Sequence, residues 1–304
     1  MNKFKKLTIL AMSVFLLTGC AKNLTDENKK VVKIDETGQS LVSNILCQPT
    51  DSKAIELYEK YNVDIKSLPK CNEFKITSGG YEGIWNTIFV KPLAWVIIKL
   101  GGLVKNYGLA IIIITLALRL AVMPVTKKTA MQSENMKKAQ PELEKLEKKY
   151  RDCTSQQEMM MKSQEMLAIY KKYNINPMAG CVFALIQIPL FFAFYESMNR
   201  LPVIFEGKFL GLNLGMSPLT AMKAGQWYYI ILVILVVAVT YFSFKMNQTA
   251  SMGAEQEKSM KMTTNIMIVF ISIASFSIST SIALYWIFNS GFTIFQNLLV
   301  KRGK

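Results

Sequence analysis

Long apolar runs constrain the fold of this chain more than any other feature of its sequence. The first three cover about residues 107–125, 178–198 and 227–246, and each is close to the ~20 residues that a helix needs to cross a bilayer. The fourth runs from about Asn265 to Val300, which is roughly 54 Å of helix against a hydrocarbon core of ~30 Å. It must fold back, and the Ser/Thr-rich stretch Ser275–Ser281 predicts the turn. We therefore predict an all-α, polytopic membrane protein with five transmembrane helices.

The segment Gly83–Gly102 precedes the first predicted span and is a poor span itself. It contains Pro92 and two lysines, Lys91 and Lys99, and its tryptophans suit the boundary between lipid headgroups and water. We predict an amphipathic, interfacial helix on the outer surface of the membrane.

The N-terminus has the pattern of a secretory signal. "MNKFKKLTILAMSVFLLTGC" places three lysines before a short apolar run, and the run ends in small residues and Cys20, like a bacterial lipobox. We predict a signal peptide over residues 1–19, lipid attachment at Cys20 and an exported, lipid-anchored segment over residues 20–83. The alternative is an uncleaved signal or a first span.

Two cysteines, Cys47 and Cys71, lie in this exported segment. An oxidising compartment favours a disulfide between them, while two free thiols remain the alternative.

Charge predicts the topology. Eleven Lys or Arg residues lie between Pro124 and Pro177, whereas the stretch 199–226 carries three. The positive-inside rule then places residues 126–173 and the C-terminus in the cytoplasm and the N-terminus outside. Residues 126–173 read as two antiparallel helices around "RDCTS". Their methionines Met159, Met160, Met161 and Met166 predict the seam of this hairpin, or alternatively a docking surface.

One charged residue, Arg119, interrupts the first span in "ITLALRLAVMP". An arginine near the centre of a span costs about 2.5–3.5 kcal/mol on insertion scales, unless it reaches the headgroups or a wet cavity. Polar residues also occur in the second and last spans, at Gln187, Tyr285, Asn289 and Gln296. The pattern fits either a shared hydrophilic groove or hydrogen bonds between helices, and it leaves both open.

The sequence lacks the residues that several classes of function require. The chain has no histidine, and neither a glycine-rich phosphate loop nor a CxxC pair occurs. We therefore predict no enzyme activity, no cofactor and no metal site. The net charge of +15 is explained by cytoplasmic loops rather than by direct nucleic-acid binding.

Three motifs in order carry a family resemblance. "IIIITLALRLAVMPVTKKTAMQSENMKKAQPELEKLEKKY", "MLAIYKKYNINPMAGCVFALIQIPLFFAFYESM" and "LYWIFNSGFTIFQN" together resemble the YidC-type (YidC/Oxa/Alb) membrane protein insertases, and the lipobox resembles their Gram-positive form. The sequence departs from the family at Ser279–Ser281, where a Phe-Pro-Ala-Gly-like turn is usual.

The resemblance implies an insertase core over residues 84–304, with the cytoplasmic hairpin at about 126–173. A hydrophilic groove with a single arginine would help nascent membrane proteins to insert and fold, alone or with the Sec translocon. The implied groove residues are Thr115, Arg119, Gln187, Tyr285, Trp286 and Asn289. Membrane lipids are further partners, and the short tail "KRGK" gives a ribosome contact little support.

Two other functions are compatible with a small polytopic protein. One is a small-solute transporter or channel, whose usual inverted repeats and paired broken helices are missing from the sequence. The other is a lipid-anchored scaffold or sensor that only binds partners.

Overall fold

The computed structural model describes residues 21–151, 153, 155–176, 179–247 and 254–302. The predicted signal peptide and the lipidation site Cys20 lie outside the described residues, and both remain predictions. Among the described residues the fold is mainly helical, and it divides into two compact units. The first comprises residues 1–115, 189–233 and 276–286, and the second residues 116–188, 234–275 and 287–304.

Residues 21–83 of the first unit, which we predict to be exported, form most of a small core. Isolated bridges join Asn23 to Val42 and Lys33 to Ser40, and helix α1, Ser52–Lys60, begins at an Asp51 cap that accepts from two backbone N–H groups. The buried cluster consists of Leu24, Val32, Ile34, Leu41, Val42, Ile45, Ala54, Tyr58, Ile65 and Phe205. Phe205 comes from a short helix far along the chain, Pro202–Phe205, so the segment folds on that helix.

Hydrogen bonds and a close contact at Gly38 also hold residues 21–83 against the later part of the first unit. The Glu206 carboxylate accepts from the backbone N–H groups of Thr50 and Asp51 at 2.8 and 3.0 Å. Gly38 has φ +66°, and a Cβ there would lie 2.3 Å from Thr220 Oγ1. A glycine is therefore required for both its backbone conformation and its contact. Cys47 and Cys71 are joined by a disulfide with 4.9 Å between their Cα atoms.

The remainder of the first unit is built from short elements and helix ends. A π-helical stretch, Asn86–Val90, leads into α2, Lys91–Val104. Helix α5, Ala179–Asn199, contributes its last part, from Pro189, to the first unit. The other elements of this unit are α6 (Pro202–Phe205), β1 (Lys208–Phe209), β2 (Leu212–Asn213), α7 (Pro218–Lys223) and a 3-10 turn (Trp227–Tyr229). The strands pair antiparallel, with Lys208 opposite Asn213.

Helix α3 runs without interruption from Tyr107 to Lys149, over 43 residues. The sequence indicated a span that ends near Val125 and a separate hairpin helix, so the continuity through Pro124 and Pro141 differs from that expectation. Both prolines lie inside the helix. A proline weakens a helix by removing one hydrogen bond, but packing can keep the chain helical.

Helix α4, Gln156–Lys172, belongs to the second unit and packs against the last part of α3. Ser155 and Glu158 form a capping box at its start, and the core contains Met136, Ala139, Leu143, Tyr170 and Ile175, with Met166 packed against it. The seam prediction therefore holds for Met166 and is wrong for Met159, Met160 and Met161, which are 59%, 59% and 49% exposed. They lie in the first turns of α4, whereas the seam is formed by its last turns.

Three helical segments among the described residues are long and apolar enough to cross a membrane: Asn86–Val104, Tyr107–Lys149 and Trp227–Met246. The first of them covers the segment that we predicted to be interfacial. A shorter apolar helical segment covers Lys261–Ala274. The five-span count is not confirmed and stays a prediction.

The last apolar stretch is divided into α9, Ala254–Ala274, and α10, Thr280–Arg302; α8, Ile230–Asn247, precedes them. In the first unit the turn is held to the preceding loop. Met216 O accepts from both the backbone N–H and the hydroxyl of Thr280, at 3.0 and 2.9 Å. Ser281 N donates to Leu214 O at 2.9 Å. The Thr280 hydroxyl thus supplies a bond that an apolar turn residue would lack.

We expect Cys47→Ser to loosen residues 21–83, because loss of a native disulfide typically costs about 2–5 kcal/mol. In the purified protein, limited proteolysis of residues 21–83 should become at least several-fold faster. Cys153→Ser is the control, since Cys153 is a free thiol in the hairpin. Equal cleavage rates in the two variants would contradict the expectation.

Candidate functional site

The side chain of Arg119 lies inside the second unit and not on its surface, with an exposed fraction of 2%. Its Nε donates to Asn289 Oδ1 at 2.6 Å. Asn289 is itself 8% exposed and belongs to α10. A buried guanidinium needs such partners, because burial removes the water that would otherwise bind its five N–H groups. Of the predicted groove residues, these two are brought into direct contact.

A second polar contact joins the same two helices seven residues further toward the C-terminus of each. The Thr126 hydroxyl lies 2.9 Å from Gln296 Oε1, and the two side chains are 5% and 3% exposed. Sequence reasoning placed Gln296 in the polar pattern of the last span but did not find Thr126. The sequence did hold a signal for Thr126, because a hydroxyl residue seven positions after Arg119 lies on the same face of a helix.

Helix α10 buries a row of polar side chains between its apolar ones. Asn289, Thr293, Gln296 and Asn297 are all less than 9% exposed. The Thr293 hydroxyl donates to Asn289 O at 3.1 Å, and the Asn297 amide donates to Thr293 O at 2.9 Å. The row therefore combines bonds to α3 with bonds inside α10, which satisfies polar groups that would be costly in an apolar environment.

Thr115 and Gln187 are the remaining polar residues that we predict to line the groove. Thr115 belongs to the first unit, is 1% exposed and donates its hydroxyl to Ile111 O at 2.7 Å within α3. Gln187 is half-buried in α5. Both residues remain proposed groove positions.

The aromatic residues of α10, Tyr285 and Trp286, lie in the first unit and pack against α5. Tyr285 is 1% exposed, with its ring centroid 4.4 Å from that of Phe194. Trp286 meets Phe191 edge-to-face at 5.7 Å. Such pairs bury large apolar areas with a preferred geometry, so they fix how the start of α10 packs on α5.

An ionic cluster in the first unit was missed by sequence reasoning. The guanidinium of Arg200, 1% exposed, donates to Glu82 Oε2 at 2.6 Å and to Asn86 Oδ1 at 2.9 Å. Lys91, fully buried, pairs with Glu82 Oε1 at 3.0 Å and donates to Ser78 O and Gly80 O. Burial raises the pKa of the Glu82 carboxyl, but the hydrogen bonds and charges of Arg200 and Lys91 together outweigh burial. The pKa of Glu82 therefore lies below its ordinary value.

Glu196 extends this cluster. It is 4% exposed and accepts from the indole N–H of Trp85, and Ser197 donates its hydroxyl to Val90 O at 3.0 Å. The sequence signal was an acidic residue near the end of an apolar run, four positions before Arg200. The cluster ties residues 78–91 to the end of α5, and it gives Lys91 a structural role.

Comparisons with known proteins agree on one family. The family model described as "60Kd inner membrane protein" matches residues 99–304. "Membrane protein insertase YidC" of Oceanobacillus iheyensis is 36% identical over 228 residues, which cover 73% of this chain and 85% of that protein. "Membrane protein insertase MisCA" of Bacillus subtilis is 33% identical over 220 residues, which cover 71% and 79% of the two chains.

A solved structure is also similar. The "Active YidC insertase crystal structure with the first transmembrane domain resolved" aligns with a TM-score of 0.50 at 24% identity, over 79% of this chain. This chain spans about half the length of that one, 51%, and the likeness shows the fold alone. The family resemblance drawn from the three motifs is confirmed by the family model and the curated relatives, and the chain belongs to the YidC-type, 60Kd inner membrane protein family.

Proposed function

We propose that this protein is a membrane protein insertase and chaperone. The observation that carries the proposal is the arginine buried among polar side chains inside an otherwise apolar bundle, with Arg119 bonded to Asn289 at 2.6 Å. Relatives above 30% identity bear the name membrane protein insertase, and the described residues include helices of membrane length.

The physical task is to move a polar, often acidic, exported tail of a nascent chain across a layer that rejects it. A hydrophilic groove that reaches partway shortens the apolar distance. Within it Arg119 attracts carboxylates for a short time. The Coulomb attraction of such a pair at 4 Å is about 4 kcal/mol at an effective dielectric of 20, before desolvation is subtracted. The exposed parts of the groove-lining helices then let the apolar segment of the substrate pass into lipid.

Partitioning of the substrate into lipid supplies the free energy. Each buried CH₂ contributes about 0.8 kcal/mol, and the membrane potential adds to this for charged tails. The step forms no covalent bond and uses no cofactor, which is why we assign no enzyme activity. The groove would be lined by Thr115, Gln187, Tyr285, Trp286 and Asn289 together with Arg119.

The proposed arrangement in the cell follows the charge distribution. We assign the protein to the bacterial cell membrane, with five spans, the hairpin 126–173 and the C-terminus in the cytoplasm, and a lipid anchor at Cys20 outside. Its partners are nascent membrane proteins and membrane lipids, and it acts alone or with the Sec translocon. A ribosome contact through the short C-terminal tail has the least support.

We expect Arg119→Ala to slow the insertion of single-span substrates with acidic tails by about tenfold, which corresponds to a barrier increase of about 1.4 kcal/mol. Arg119→Lys should keep much of the activity, because it retains the charge. The measurement is the insertion rate into proteoliposomes that hold equal amounts of each variant.

Arg302→Ala is the matched control, because Arg302 is exposed in the last turn of α10. Substrates whose tails carry no acid should be less sensitive to Arg119→Ala. Full activity of the Ala variant on every substrate would contradict an essential charge. Flux of small solutes through the same proteoliposomes would instead favour a transporter.

We expect Asn289→Leu to reduce insertion by severalfold, because the bond to Arg119 Nε is removed and charge-assisted bonds contribute about 1.5–3 kcal/mol. Thr293→Val, at an equally buried position of the same helix, should have a smaller effect because its hydroxyl donates to Asn289 O of α10 itself. Insertion rates and thermal unfolding midpoints of both variants distinguish a specific loss from a general one. Equal loss of activity in both would contradict a specific role of Asn289.

A further inference from the structure

The two polar contacts between α3 and α10 have the same register. Arg119 pairs with Asn289, and Thr126 pairs with Gln296, each across a sequence separation of 170 residues. The second contact thus lies seven residues further along both helices. Because both advance in the same direction, α3 and α10 run parallel here. Seven residues are about two helical turns and ~10.5 Å, so the contacts lie on one face of each helix.

The mechanical weak point of α3 lies between these contacts. Pro124 has no backbone N–H to donate to Leu120 O, and its ring crowds that carbonyl. Kinks in helices occur at such prolines. Helix α10 has no proline between Thr280 and Arg302, and it is bonded to α3 on both sides of Pro124.

We propose that α10 acts as a splint across Pro124, with Thr126 and Gln296 as the positioning residues that complete it. The contact of Arg119 with Asn289 holds α3 before the proline, and the contact of Thr126 with Gln296 holds it after the proline. Together they hold the helix at one bend angle there and fix where the guanidinium lies relative to the part of α3 beyond Pro124. The role of this placement in insertion rests on the proposed function, whereas the splint itself does not.

The burial of the second contact supports this role. Thr126 and Gln296 are 5% and 3% exposed, so water does not compete for their bond. The Thr126 hydroxyl also lies 3.3 Å from Val122 O and from Met123 O. These carbonyls can accept the hydroxyl hydrogen when Gln296 is replaced. The Thr126 hydroxyl then stays hydrogen-bonded, so we expect the Gln296 variant to fold. Thr293 has no such bond to α3 in the described contacts, and its hydroxyl donates to Asn289 O of α10.

The first test measures the bend directly and requires no substrate. Spin labels at Leu120 and Met131, exposed positions on either side of Pro124, should lie about 16 Å apart along α3. The labels are placed in the full chain with Cys153 and Cys181 changed to serine, because the Cys47–Cys71 disulfide does not react with the label. We expect one narrow distance distribution in the parent and in Thr293→Val, and a broader one with shorter distances in Gln296→Leu and in Thr126→Val. The double variant Gln296→Leu, Pro124→Ala should again give a narrow distance distribution, because it no longer has the proline that weakens α3.

The second test links the splint to insertion. Gln296→Leu should slow insertion by about fivefold, the scale of one net hydrogen bond, and Pro124→Ala in the same chain should restore most of the rate. If Gln296 were merely a stabilising residue, its loss would lower the thermal midpoint without the change in distance distribution. An unchanged distribution in Gln296→Leu overturns the splint. Activity of Arg119→Ala on all substrates would overturn the proposed function and leave the spin-label result standing.

Discussion

The structure depends on keeping one guanidinium inside an apolar helix bundle. Arg119 is 2% exposed, and a charge so placed is tolerated only if polar groups replace its water. Asn289 supplies such a group, and the polar row of α10 follows from the same requirement. A helix that must present Asn289, Thr293, Gln296 and Asn297 to its neighbours cannot rotate freely, because turning this row toward lipid would leave it unsatisfied. The arginine thus fixes the orientation of a helix on which it does not lie.

The sequence predicted the parts of this arrangement that follow from composition and periodicity. Apolar runs revealed helices of membrane length, and Arg119 and Asn289 were singled out before their contact was known. The orientation drawn from charge asymmetry stays a prediction. The turn between α9 and α10 also lies in the predicted Ser/Thr-rich stretch. The family itself could be identified from motif order. These signals are local, so they survive without knowledge of the packing.

Other features were missed because they depend on contacts between distant segments. The continuity of α3 through Pro124 is decided by packing, since propensity alone favours a break there. The exposure of Met159 follows from where the two hairpin helices meet, and helical spacing does not specify that point. The ionic cluster of Glu82, Lys91 and Arg200 joins residues more than one hundred positions apart. Each of these residues, read singly, resembles an ordinary surface charge.

The equal spacing of the two contacts also limits how the chain can change over evolution. Adding or removing one residue of α3 between Arg119 and Thr126 would turn everything beyond it by about 100° and point Thr126 away from Gln296. A compensating change of equal length in α10 would be needed to recover the pairing. Substitutions are thus the tolerated route of variation in this stretch, and the two helices should keep their lengths in step across related chains.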